Sequence, residues 1–260
     1  MARIDIESKE HWDWLHLRLG KANAIGPTFL QRFDEALQSL PAAPDEGPAR
    51  PLIVTGEGSV FSAGLELSLL IDHDRAQLEA FLSHFDRTFL SLATFPRPTI
   101  AAVNGHAIAG GAVLLLGFDL RLGASRLPSS TKAYWIGLKE SALGIPLPRA
   151  GVLLLQRTIA SLATQMDVAL TGELFTPQQA LERHLLDRLV PPQALEMEAE
   201  REAARFSQST ALAAKTLKHL LKHDLVAALE EPTDHTVFLD AWFAPETQRR
   251  IKEVVASLAR

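Results

Sequence analysis

Apolar residues recur along this chain in three rhythms, and each predicts a different element. Ile4 and Ile6, then Leu15, Leu17 and Leu19, alternate with polar neighbours at period two, which predicts a short antiparallel strand pair. After Pro27 and Thr28 the period lengthens, and Phe29, Phe33, Leu37 and Leu40 fall on one helical face. A second helix is predicted over residues 75–92, with Leu78, Phe81, Leu82, Phe85 and Phe89 inward and Pro96 and Pro98 beyond its end. The third rhythm is the short unbroken apolar run. Residues 52–54 (LIV) and 99–103 (TIAAV) read as strands buried on both faces, and residues 119–124 and 133–136 continue the series. A glycine-rich turn and a short apolar helix follow Val103. The stretch PAAPDEGPARP, residues 41–51, is a turn-rich connector.

The last third changes character. Thr176, Pro177 and Gln179 have the spacing of a helix start: an N-cap, a proline at the first position and a glutamine three residues on. From residue 196 the sequence is almost entirely helix-forming, and it closes on an amphipathic segment over 246–260. Strand and helix alternation followed by helices alone predicts an α/β fold, divided into a core over 1–195 and a helical region over 196–260.

Composition narrows the chemistry. With 260 residues, 47% of them hydrophobic, the chain can bury a full core. It has no cysteine, so disulfides, thiolate metal sites and a thiol nucleophile are all excluded. A net charge of −5, with both signs scattered, gives no footprint for nucleic acid. The first residues, MARIDIESKEHWDW, lack the apolar centre of a signal peptide, and the longest apolar stretch, near 112–118, is too short to span a bilayer. A cytoplasmic protein with no membrane partner is the expectation.

Several familiar motifs are missing: G-x-S-x-G, H-E-x-x-H and the P-loop. GHAIAGG, residues 105–111, lacks the Lys-Ser/Thr pair of a phosphate loop and fails G-x-G-x-x-G spacing. His219 and His223 are four apart, but Lys218 and Lys222 beside them would repel a cation, so a solvated helix face is expected and no metal. Two segments remain. FSAGLEL (61–67) and NGHAIAGG (104–111) each end a buried strand with small residues, which let a ligand approach the backbone. A turn into a helix leaves its first N–H groups unpaired, and two such groups that converge form an oxyanion hole; taken alone, either reads rather as an ordinary close-packed turn.

Together these segments resemble the crotonase family, the enoyl-CoA hydratase/isomerase superfamily. The resemblance covers nearly the whole chain: KANAI (21–25), FSAGLEL, PRPTIAAVNGHAIAGGAVLLLGFDLRLGAS, IGLKESALGI (136–145) and TGELFTPQQALERHLLDRLVP (171–191). It implies a spiral of β-β-α units with a helical C-terminal part used in trimerisation, and a homotrimer or dimer of trimers. It also implies an acyl-CoA thioester substrate, with coenzyme A part of that substrate and no separate cofactor. The motifs put the two amide donors on Leu65 and Gly110 and lay Ala22 and Ala63 along the CoA moiety. The family usually has Asp where this chain has Glu66. A catalytic role for His106 is not implied, because that position accepts varied residues.

Removing a proton beside a thioester creates an enolate, which the two amides would stabilise. The base decides the branch. Hydratases of the family carry one carboxylate shortly after the second oxyanion glycine, where this chain has Val113, and another in the later Gly-x-x-Glu segment, where it has Glu140. An apolar Val113, which would line the acyl pocket, cannot activate water. The string IGLKESALGI is most similar to the mitochondrial type of Δ3,Δ2-enoyl-CoA isomerase, in which a single Glu moves the proton. Burial among Ile136, Leu138, Leu143 and Ile145 should raise the pKa of Glu140 and suit it to taking and returning a proton. Three readings follow: isomerisation; decarboxylation, hydrolysis or hydration on the same scaffold; and a catalytically idle acyl-CoA-binding chain.

Overall fold

The computed structural model describes residues 3–41, 46–127 and 133–258; part of the 41–51 connector and the end of the 246–260 segment lie outside the described residues. The chain opens with β1 (Arg3–Ser8), β2 (Asp13–Arg18), α1 (Pro27–Ser39), β3 (Leu52–Thr55) and β4 (Val60–Ser62). Then come α2 (Leu67–Leu70), α3 (Arg75–Ala93), β5 (Thr99–Val103), β6 (His106–Ile108), α4 (Gly110–Leu116) and β7 (Leu120–Ala124). The second half contains β8 (Ile136–Gly137), α5 (Glu140–Leu143), α6 (Arg149–Thr158), α7 (Leu162–Leu170), α8 (Pro177–Glu182) and β9 (Arg188–Val190). It ends in α9 (Leu195–Phe206), α10 (Ala211–Leu221), α11 (His223–Glu230), α12 (Thr236–Phe243) and α13 (Pro245–Leu258).

Two sheets grow side by side. One has the order β1-β2-β3-β5-β7-β9 and the other β4-β6-β8. The period-two segments pair as expected, antiparallel, with Ile4 opposite Leu17 and Ile6 opposite Leu15. The pairings that follow are parallel. β3, β5 and β7 each extend the large sheet, and the strand after each extends the small one before the chain turns helical. This is the β-β-α spiral. Its central strands β3 and β5 have no polar face: Leu52, Ile53, Val54, Ile100, Ala101 and Val103 are fully buried. Both faces must therefore be covered, and α9 packs across β3, β5 and β7.

Local signals explain the element starts. Asp74 and Gln77 form a reciprocal capping box at α3, and Thr176 and Gln179 form another at α8. The strand expected over 133–136 is shorter than its apolar pattern suggests: only Ile136 and Gly137 join a ladder. The N–H of Trp135 donates instead to Nδ1 of His106 at 3.1 Å. In the helical C-terminal part, α11 and α12 pack on α3, while α13 folds back onto α2 and α5. Among the described residues no helix is long and apolar enough to cross a membrane.

Candidate active site

The small sheet fixes where the chemistry can happen. Ala107 in β6 pairs with Ser62 of β4 on one side and Ile136 of β8 on the other. Leu65 lies three residues beyond Ser62, Gly110 three beyond Ala107, and Glu140 four beyond Ile136. Neighbouring parallel strands run about 4.8 Å apart, so the three candidate groups emerge together at the carboxyl ends of adjacent strands, where open α/β sheets place their ligands.

The two glycine turns meet there. Gly64 adopts a left-handed φ of 88°, and a Cβ built on it would fall 2.6 Å from the Ile108 carbonyl and 3.1 Å from the Gly110 nitrogen. A Cβ on Gly110 would lie 3.5 Å from Leu65 Cδ2. At Gly64 only bare backbone fits between the turns. The KANAI segment runs alongside the first one: Ala63 N–H donates to Ala22 O at 3.0 Å, Ile25 N–H to Gly64 O at 2.7 Å, and Glu66 N–H to Ile25 O at 3.0 Å. Ala22, Ala63, Leu65 and Gly110 are thus gathered in one place. Among the described residues, neither the Leu65 nor the Gly110 N–H donates a hydrogen bond within the chain. Gly110 is the first residue of α4, so its amide is one of that helix's orphan donors. Two unpaired amides from separate loops in contact are able to receive a developing oxyanion.

The second turn is tied to the Glu140 segment. Ala109, held at φ 50°, donates its N–H to Gly137 O at 2.8 Å. Three residues on, Glu140 opens α5 with only 4% of its surface exposed. Burial pushes its carboxyl up to about 7, against the opposing effect of its own and the Lys139 backbone N–H, the latter 2.8 Å from Oε2. Lys139 does not pair with it; its Nζ donates to Gly172 O at 2.8 Å. An acid that titrates near neutrality can both take and return a proton.

The other sequence candidates fall as follows. Val113 sits one helical turn into α4, fully buried, its Cγ1 3.4 Å from where a Cβ on Gly151 of α6 would be. Glu66 lies against Gly26: a Cβ on residue 26 would collide with its Oε2. His106 is half-buried, which lowers its pKa, and its Nδ1 is taken by Trp135. His219 and His223 are exposed and belong to different helices, α10 and α11. No group of three or more possible metal ligands occurs among the described residues.

Sequence reasoning missed two features. Asn23 is buried at a left-handed φ of 50°; its Oδ1 accepts from Leu19 N–H at 2.8 Å and its Nδ2 donates to Phe61 O at 3.0 Å, clasping KANAI to the first turn. Asn tolerates this conformation better than most residues, the one signal that could have found it. Lys218 and Lys222, read as solvated, instead converge on Asp119 at 2.6 Å each. They border a cleft of about 520 Å³ that also includes Leu116, Phe118 and Leu217, and none of the candidate site residues lines it.

The spiral fold and the paired turns point to the enoyl-CoA hydratase/isomerase class, and sequence comparison agrees. The sequence model for enoyl-CoA hydratase/isomerase matches residues 16–252, and the chain belongs to this family. A putative enoyl-CoA hydratase from Thermus thermophilus is 31% identical over 230 residues, covering 85% of this chain and 84% of that protein. Carnitinyl-CoA dehydratase from Salmonella arizonae is 32% identical over 213 residues, 81% of this chain and 77% of that one. The fold is shared with human mitochondrial Δ3,Δ2-enoyl-CoA isomerase, with a TM-score of 0.87, 24% identity, and coverage of 99% of this chain and 98% of that one.

Proposed function

We infer that this enzyme converts 3-enoyl-CoA thioesters into the conjugated 2-enoyl-CoA isomers, with Glu140 as the single proton carrier. One observation carries the reading: a buried, burial-raised carboxyl at Glu140 and an apolar Val113 where hydration would need a second carboxylate. The thioester carbonyl oxygen accepts from the Leu65 and Gly110 N–H groups. Glu140 removes a proton from the α carbon, negative charge moves onto that oxygen, and the same carboxyl returns the proton to the γ carbon. Mass is conserved and no activated water is needed. Ala22 and Ala63 flank the CoA portion, and Val113 faces the acyl chain. CoA itself belongs to the substrate. The exposed leucines of α10, among them Leu217, Leu220 and Leu221, support assembly as a trimer or a dimer of trimers.

The alternative is hydration, favoured by the names of relatives such as the putative enoyl-CoA hydratase from Thermus. Mass spectrometry of products from paired 3-enoyl-CoA and 2-enoyl-CoA incubations tests the choice. Isomerisation predicts a conjugated product of unchanged mass from the 3-enoyl ester and little conversion of the 2-enoyl ester. A hydrated product formed rapidly from the 2-enoyl ester would sink the reading. Released CO₂ or free CoA would assign decarboxylation or hydrolysis, and binding without turnover an idle chain.

A further inference from the structure

The C-terminal helix α13 returns to both halves of the candidate site. It packs against α2, which begins two residues after Leu65, and against α5, which begins at Glu140. Its polar contacts go to the far end of α5. Thr247 Oγ1 donates to Gly144 O at 3.3 Å, and Arg250 Nη1 donates to Ala142 O at 3.1 Å. Arg250 is itself oriented by Glu246, whose Oε1 accepts from Nε at 2.9 Å.

These contacts matter because α5 is a helix of four residues. So short a helix satisfies almost none of its own carbonyls and is far below the length that is stable alone. Its C-cap, Gly144, has a left-handed φ of 90°, and a Cβ there would lie 2.8 Å from Thr247 Oγ1. Thr247 is itself buried at 4% exposure. The pose of the Glu140 carboxyl therefore depends on groups outside its own segment. At the front, Lys139 Nζ holds Gly172 O; at the back, the grip comes from α13.

We propose that Thr247 and Arg250 are positioning residues: α13 is an intramolecular brace that holds the last carbonyls of α5 and so sets Glu140 against the Leu65 and Gly110 amides. The inference rests on Glu140 being the base. It predicts that loosening the brace harms the chemical step more than substrate binding, because the hydrogen bonds from α13 reach Gly144 and Ala142, at the end of α5.

The test uses the full chain in Thr247→Val, Thr247→Ser, Arg250→Ala and Arg250→Lys, with Arg249→Ala as control, since among the described residues Arg249 pairs with Glu246 and Glu253 of its own helix and not with α5. Steady-state kinetics on a 3-enoyl-CoA are read beside a carbon-13 NMR titration of the Glu140 carboxyl. Thr247→Val and Arg250→Ala should each lower kcat by about tenfold, well within what a small misplacement costs, with KM little changed. Ser and Lys should restore much of the loss, and Arg249→Ala should match the parent. The Glu140 midpoint should fall from about 7 as water reaches the carboxyl. Unchanged kcat and midpoint in folded Thr247→Val and Arg250→Ala would overturn the brace, as would equal losses in the Ser and Lys variants. Should Thr247→Val fail to fold, Arg250→Ala, on the exposed side of α13, decides alone. If the parent enzyme does not isomerise 3-enoyl-CoA, the functional reading fails, yet the NMR titration still decides whether α13 sets the Glu140 environment.

Discussion

At the start of β2, Asp13 is fully buried and faces two guanidinium groups: Arg97, at its Oδ2, and Arg50, 2.8 Å from Oδ1 and 2.9 Å from Oδ2, with Ser8 Oγ adding a fourth bond at 2.6 Å. At the end of the small sheet, Glu140 is almost as hidden but meets backbone N–H groups and no cation. Burial opposes ionisation in both. For Asp13 the bonds from Arg50, Ser8 and Arg97 outweigh it and bring the carboxyl down to about 2. For Glu140 burial prevails, and the group titrates near 7. The first is a permanent charge fastening β2 to the connector and to the segment before β5. The second changes charge at neutral pH. Burial alone does not decide where a carboxyl titrates; burial without a cationic partner raises it, and burial between two guanidinium groups lowers it.

The hardest blow to this contrast comes from Glu140→Gln, which should cut isomerisation by about 10²–10⁴-fold while acyl-CoA binding, followed by calorimetry, survives. A fully active Gln variant would break the comparison outright. Asp13→Ala strands buried Arg97 and should cost about 3–5 kcal/mol in urea unfolding, with the turnover of the remaining folded enzyme unaltered. Gly64→Ala forces a Cβ towards Ile108 O at a left-handed φ. It should spread the two amides and lower kcat by about 10²-fold, comparable to losing one oxyanion donor.

The pH dependence sharpens the contrast with less force. A raised carboxyl holds its proton more tightly in the folded state, so Glu140 subtracts stability as pH climbs from about 4.5 towards about 7. Glu140→Gln should therefore be the more stable protein at pH 8, by up to about 3 kcal/mol, and the difference should vanish near pH 4. Asp13 has the opposite sign. Its contribution is intact above its ordinary value of 3.8 and is lost as pH falls to about 2. Thermal melts of the two variants across pH 2–8 read both slopes.

Much of the fold was legible because its signals were local. The period-two segments, the unbroken apolar strands and the Thr176–Gln179 capping box each depend on a few adjacent residues. The β-β-α arrangement came from family resemblance, since which strand joins which sheet depends on pairings between residues far apart in sequence. The site was legible where it is built from backbone: the glycine turns announce themselves in FSAGLEL and NGHAIAGG. What stayed hidden was every long-range polar contact. Nothing around Lys218 and Lys222 reveals Asp119, about a hundred residues earlier, so they read as surface. Asn23, inside KANAI, looked like part of a binding segment when its side chain in fact ties that segment to Phe61 and Leu19. The shortened β8 had the same cause, a His106 ring nitrogen taking a bond that the apolar pattern assigned to the ladder.

Glu66 and Gly26 share one volume, so the two positions are coupled. A Cβ at 26 would meet chiefly the carboxylate end of the Glu66 side chain, which can turn away, so the clash is relieved by a rotamer change rather than by backbone movement. A side chain at 26 would thus redirect the carboxylate that lies one residue beyond Leu65, and anyone recombining this loop with that of a relative does well to move both residues together.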